Sequence, residues 1–194
     1  IAESKGNQTL LVLGWSKKKR KSDSDLIATS FFSRLFHLCI SKCFGLDGFG
    51  AKYRTQKLVK KLKSFNPDIM QLHMMHSGFL HLPTLFEYIK KEKIPVVWTF
   101  HDCWAFTGGC AHFESVKCEK WKDGCKNCQL DLSMKRKIFD SEKITWIKKK
   151  RMIEGVDITV VTPSKWLAEY AKVSMFKNSF ITVINNGIDL SVFY

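Results

Sequence analysis

The sequence predicts an α/β fold in which a parallel sheet is covered by helices on both faces. Two observations predict it. Five short apolar runs have the look of buried strands, and amphipathic helical patterns lie between them. Strand and helix alternating in this way is the pattern of right-handed βαβ crossovers, whose strands are sealed from water on both sides.

The first strand is expected over 10–13, where a short apolar run leads into a basic loop. The others are expected over 68–73, 95–100, 157–161 and 180–184. Helices are expected over 51–65, with Leu58, Val59 and Leu62 set among lysines, and over 82–91, 134–153 and 164–173. From 26 to 44, apolar residues including Leu26, Ile27, Phe31, Leu35, Phe36 and Phe44 recur at three- and four-residue steps. That spacing predicts a helix with a broad apolar face. Such a face packs onto its own domain or rests on a membrane surface, the latter helped by Arg34, Lys42 and the neighbouring basic run.

The 194 residues are 45% hydrophobic, enough for one sizeable core, so one domain is expected over 1–184. The chain opens at Ile1 inside a run that reads as the end of a helix with Gly6 near its C-cap, so a first strand is expected upstream. No stretch reaches the roughly 18 apolar residues that a transmembrane helix requires. The formal charge of +14 gives a surface that attracts anions: nucleic acid, acidic lipid or phosphorylated substrates. Much of it lies in two runs, 17–21 and 148–151, which read as solvated lysine-rich surface. No nucleic-acid fold signature accompanies them, and nucleic acid is not an expected partner.

Ligands of parallel α/β folds gather beyond the C-terminal ends of the strands. The segments to search are therefore 73–78, 101–104, 162–164 and 185–189. His101 and Asp102 follow directly on a central strand. A histidine there can move a proton near neutral pH, worth about 10²- to 10⁴-fold when positioned, or it can simply hydrogen-bond a neighbouring loop. Asp102 either orients His101 or caps the turn that follows. Ser164 is a natural N-cap, and the helix end behind it is a ready anion site. Asn186 and Gly187 permit a tight turn ahead of Asp189.

Seven cysteines is a high count, and five of them fall between Cys103 and Cys128. Cys110, Cys118, Cys125 and Cys128 share a loop with Gly108, Gly109, Gly124, Trp104 and Trp121. Cys125 and Cys128 have the spacing of a thiolate clip, and four thiolates would complete a structural zinc site. The same four could form two disulfides by any of three pairings, or be unrelated buried thiols. Cys103 has no second histidine placed by sequence to activate it and reads as packing.

Four segments together resemble the N-terminal domain of the family-four retaining GT-B glycosyltransferases. They are Pro67 to His73; Val97 through His101, Asp102 and Trp104 to Gly108; Thr162 to Leu167; and Val183 through Asn186, Gly187 and Asp189 to Phe193. The stretch at His101 followed by the cysteine loop is similar to a narrower subgroup, the bacterial enzymes of capsule, colanic-acid-like and other surface polysaccharides. Gly48-Phe49-Gly50 with Thr55 points the same way. The fold so implied is a Rossmann-like sheet forming half of a GT-B architecture, with 185–194 starting the crossover to a second, donor-binding domain.

The resemblance implies transfer of a hexosyl unit from a nucleotide-sugar co-substrate to a lipid-linked glycan acceptor, with this chain supplying the acceptor half and inactive alone. His101 matches the histidine near the reacting sugar; His73, Asp102, Trp104 and Ser164 line the cleft; Asn186, Gly187 and Asp189 lie on the donor-side crossover. No organic cofactor is implied. Such an enzyme is expected in the cytoplasm, peripheral at the inner face of the plasma membrane, where an anionic surface suits the +14 charge. Met74 and Ser77 depart from the Asn and Gly expected after the second strand. Two rival readings are a basic, metal-clipped anion-binding or nucleic-acid module and an inactive transferase remnant.

Overall fold

The computed structural model describes residues 5–14, 26–27, 35–36, 38–39, 43, 47–76, 78–128 and 141–192. Its main sheet has four strands: β3 (Met70–His73), β4 (Val96–Thr99), β5 (Ile158–Thr162) and β6 (Phe180–Val183). They lie in the order β3-β4-β5-β6, all parallel. Parallel neighbours need a crossover, supplied by α2 (Leu82–Glu92), α3 (Glu142–Ile153) and α4 (Lys165–Lys172), while α1 (Lys52–Phe65) precedes β3.

Two expectations are corrected. The run at 10–13 does not join the main sheet. It contributes β1 (Val12–Leu13), which pairs in parallel with β2 (Leu26–Ile27) as a separate two-stranded ladder. Leu26 and Ile27 therefore do not start a helix. Their backbone groups are taken by β1, and the helical residues of the 26–44 stretch among those described are Leu35, Phe36, Leu38, Cys39 and Cys43. Leu35 and Phe36 are exposed. The remainder of that stretch, the basic run 17–21, Ser77, residues 1–4 and 134–140, and Phe193 lie outside the described residues. Among the described residues no helix is long and apolar enough to cross a membrane.

Side chains alternate across a strand, so the register assigns the two faces of the sheet. Met70, Val96 and Ile158 are paired across the sheet, as are Leu72, Trp98 and Val160, and all six are buried. On this face Phe86 of α2 meets Trp98 at 5.7 Å between ring centroids, and Trp98 takes Phe100 and Phe176 edge-on. Burial of each such side chain contributes about 1.5–3 kcal/mol. The opposite face carries Gln71, Val97, Thr159 and Phe180, of which Gln71 and Phe180 are exposed.

The helix starts are tied together. His81 caps α2, its Nδ1 accepting from the Thr84 N–H, and Pro83 sits in the first turn, where its missing N–H costs nothing. The buried Thr55 hydroxyl donates to the Ala51 carbonyl and accepts from the His81 N–H at 2.8 Å, so the first turn of α1 is stitched to that of α2.

Between β4 and α3 the chain makes three short 3₁₀ turns, Trp104–Phe106, Glu114–Val116 and Lys120–Lys122. Phe106, Phe113, Trp121 and Tyr170 of α4 pack as one aromatic group beneath them. The loop approaches α3 very closely at Gly108. A Cβ there would lie 2.6 Å from the Glu142 carbonyl oxygen and 2.9 Å from Cys125 Cβ. Both neighbours are held, by a helix and a tight turn, so Gly108→Ala is expected to destabilise the chain by about 1–3 kcal/mol, read as a lower urea midpoint at unchanged m-value.

Candidate functional site

The site is built where β3 and β4 end. His73 is the last residue of β3 and pairs in register with Thr99 of β4, so two hydrogen-bonded strands fix its position. His101 follows Thr99 by two residues. The two imidazoles meet, His73 Nδ1 and His101 Nε2 being 3.1 Å apart with ring centroids at 5.4 Å. Beyond β3 the chain turns sharply at Met74, whose φ of 45° is unusual for a side-chain-bearing residue. That turn brings His76 to Asp102.

His76 Nε2 and Asp102 Oδ2 are 3.0 Å apart, and the other carboxylate oxygen, Oδ1, accepts the Trp104 N–H at 2.8 Å. Asp102 therefore caps the following turn and binds His76, and it is not the group that orients His101. Burial pushes the Asp102 carboxyl up. The hydrogen bonds from His76 and the Trp104 amide, with the charges of His76 and His112, outweigh it and hold the group below the usual carboxylate range. His73 is shifted down, first by burial and then by His101 beside it, so its neutral form is favoured.

His76, His101 and Asp102 wall a recess together with Met75, Thr99 and Phe100, and His73 is joined to it through its contact with His101. Trp104 lines the recess but is only 4% exposed, so its ring braces the wall more than it faces a ligand. Lys149 Nζ sits 3.3 Å from the centre of that ring, and a Cβ on Gly48 would come within 3.3 Å of its edge. Gly48 itself has a φ of 86°, and a Cβ there would lie 2.8 Å from Leu82 Cδ1, so the position suits glycine on both counts.

The other expected positions lie apart from the recess walls. Ser164 is the N-cap of α4, its Oγ accepting the Leu167 N–H at 3.3 Å. Asn186, Gly187 and Asp189 are exposed after β6, and Asp189 Oδ1 accepts from both the N–H and the hydroxyl of Ser191.

Cys110, Cys118, Cys125 and Cys128 do come together, lining one pocket with Phe113, Trp121 and Glu142. All seven cysteines are free thiols, so the disulfide alternative is not realised. Among the described residues no three His, Cys, Asp or Glu side chains are placed to hold a metal ion. Burial pushes the Cys110 thiol up to about 12 and the Cys125 thiol up to about 11, so both stay protonated near neutral pH. Cys103 is 1% exposed with its thiol pushed up to about 12, as its reading as packing requires.

Two residues escaped the sequence reading. His76 lay inside the searched segment 73–78, and the signal available was a second histidine three residues after the first, with an aspartate one step beyond His101. Lys149 was hidden in the basic run 148–151. Its neighbours Lys148, Lys150 and Arg151 are exposed, whereas Lys149 is 1% exposed and donates to the carbonyls of Trp104 and Thr107.

A four-stranded parallel sheet joined by helical crossovers is a Rossmann-like α/β unit, and the two histidine pairings lie beyond the C-terminal ends of β3 and β4, where ligands of such folds gather. Residues 43–192 match Glycosyltransferase Family 4, and the chain belongs to that family. It is 27% identical over 171 residues to the putative colanic acid biosynthesis glycosyl transferase WcaC of Escherichia coli (strain K12), an alignment that takes in 84% of this chain and 41% of the relative. The chain thus spans less than half the length of the curated relative it matches. No solved structure matches it.

Proposed function

We propose that this chain is the acceptor-side half of a retaining GT-B glycosyltransferase that moves a hexosyl unit from a nucleotide sugar to a lipid-linked glycan during surface polysaccharide synthesis. The observation that carries this reading is the placement of His101 at the recess beyond β3 and β4, paired with His73, within a segment that matches the family. The similarity to a colanic acid biosynthesis transferase supports the polysaccharide assignment.

In this reading the recess holds the acceptor, and a partner unit closes over it with the nucleotide sugar. The acceptor hydroxyl is set against the anomeric carbon, and the nucleotide diphosphate leaves. Most of the rate comes from orientation and from stabilising the charge that develops on the leaving group. His101 is the group on this side that can accept a hydrogen bond, or a proton, from the hydroxyl. Its exposure at the recess suits that role. A net charge of +14 favours residence at the anionic membrane face where a lipid-diphosphate acceptor is displayed.

The test is transfer to membrane-extracted lipid-linked acceptors from a panel of nucleotide sugars, with the chain expressed in its native flanking sequence. His101→Ala is expected to lower kcat by about 10²-fold or more. Equal transfer by the variant would remove His101 from the chemistry, and no transfer with any donor by a folded protein would remove the reading itself.

A further inference from the structure

Two imidazole nitrogens 3.1 Å apart share a single proton: one ring must donate and the other accept. Two neutral arrangements satisfy this. In the first, His101 Nε2–H donates to a bare His73 Nδ1, which leaves His73 protonated at Nε2 and His101 bare at Nδ1. In the second, His73 Nδ1–H donates to a bare His101 Nε2, which leaves both rings protonated at Nδ1. An unconstrained imidazole side chain prefers its proton on Nε2. The first arrangement gives both rings that preferred form and the second gives it to neither. Among the described residues no other hydrogen bond from either ring opposes this choice, and the nearby His76 is engaged with Asp102.

We propose that His73 is a positioning residue that fixes the tautomer of His101, leaving His101 Nδ1 bare to accept from the acceptor hydroxyl. The backbone holds the pair in place, because His73 and Thr99 are the last registered partners of β3 and β4. Partial burial of His73, with His101 beside it, favours the neutral form of His73. The pairing stands on this geometry alone, and only its catalytic consequence rests on the glycosyl-transfer reading. As the hydroxyl attacks, its O–H bond breaks and an N–H bond forms at His101 Nδ1. The bridging proton stays on His101 Nε2, and its hydrogen bond to His73 Nδ1 stabilises the imidazolium that forms. The hydroxyl oxygen bonds the anomeric carbon, and the diphosphate departs with the electron pair of the broken bond.

The test reads protonation directly, by long-range proton–nitrogen correlation on the full chain labelled with ¹⁵N-histidine and assigned with His101→Ala and His73→Gln. The expected result is a protonated Nε2 and a bare Nδ1 at His101, with His73→Phe releasing His101 to average between tautomers. A protonated Nδ1 in the parent chain, or no change at His101 in His73→Phe, would overturn the proposal. In the transfer assay His73→Phe is expected to lower kcat about tenfold or more at little-changed KM. His73→Gln, whose amide oxygen can accept from His101 Nε2–H, should recover most of it. An unchanged kcat in His73→Phe would also overturn the positioning role. The expected tautomers in a parent protein that transfers no sugar would instead sink the functional reading while leaving the pair intact.

Discussion

Lys149→Met is expected to lower the stability of the chain by about 2–4 kcal/mol, although the side chain belongs to a run of four consecutive basic residues. Its ammonium is sealed from water, 2.6 Å from the Trp104 carbonyl, 3.1 Å from the Thr107 carbonyl and over the Trp104 ring. A desolvated cation on an indole contributes about 2 kcal/mol. Each buried carbonyl left without its donor costs about 1–3 kcal/mol. Against this, methionine fills nearly the same volume and spares the desolvation of a charge, so the net loss falls below the simple sum. Arg151→Met, at an exposed position two residues on, is expected to change stability by less than about 0.5 kcal/mol. Urea midpoints of the two variants at constant m-value check the contrast, and equal midpoints would show that Lys149 is solvated. The loss should reach the recess as well. Lys149 holds the Trp104 carbonyl and ring, the Trp104 N–H holds Asp102, and Asp102 holds His76.

The same residue shows where the sequence stopped being legible. Charge patterning cannot tell a buried lysine from its exposed neighbours, because what buries it is a loop 42 to 45 positions away in the chain. The strands of the main sheet were legible because runs rich in apolar residues, such as Val96–Trp98, have no polar face to leave in water. Leu26 and Ile27 were misread because two apolar residues fit a helical or an extended period equally well, and pairing with Val12 and Leu13 decided the matter. His73 and His101 could be singled out as candidates because they lie at or just beyond strand ends. That Asp102 would serve His76 was not readable, since it depends on the left-handed turn at Met74, a residue whose side chain gives no warning of positive φ. The four cysteines of the loop line one pocket, as their shared loop suggested. Their state is set by the depth of the loop, which spacing does not encode.

Trp121→Ala is expected to cost about 3–5 kcal/mol, the upper range for removing a buried aromatic side chain. The indole is 1% exposed, stacked on Phe113 at 5.1 Å and flanked by Phe106 and Tyr170 at 5.2 and 5.7 Å. With Phe113, which meets Tyr170 edge-on at 5.2 Å, it joins the cysteine loop to α4. Truncation would also enlarge the cavity already present between the four cysteines, which the ring lines. Trp121→Phe should cost much less than alanine, for two reasons. It keeps a ring against Phe113, and it removes an indole N–H that is buried without a hydrogen-bond partner among the described residues. The backbone carbonyl of residue 121, which accepts the Trp146 Nε1–H at 2.7 Å, is untouched by either change. Because β3, β4 and β5 make their own hydrogen bonds beneath α2, the alanine variant should lose hydrogen-exchange protection first in residues 104–128 while the strands keep theirs. Uniform loss across loop and sheet would mean instead that the aromatic group under the loop and the sheet core open as a single cooperative unit.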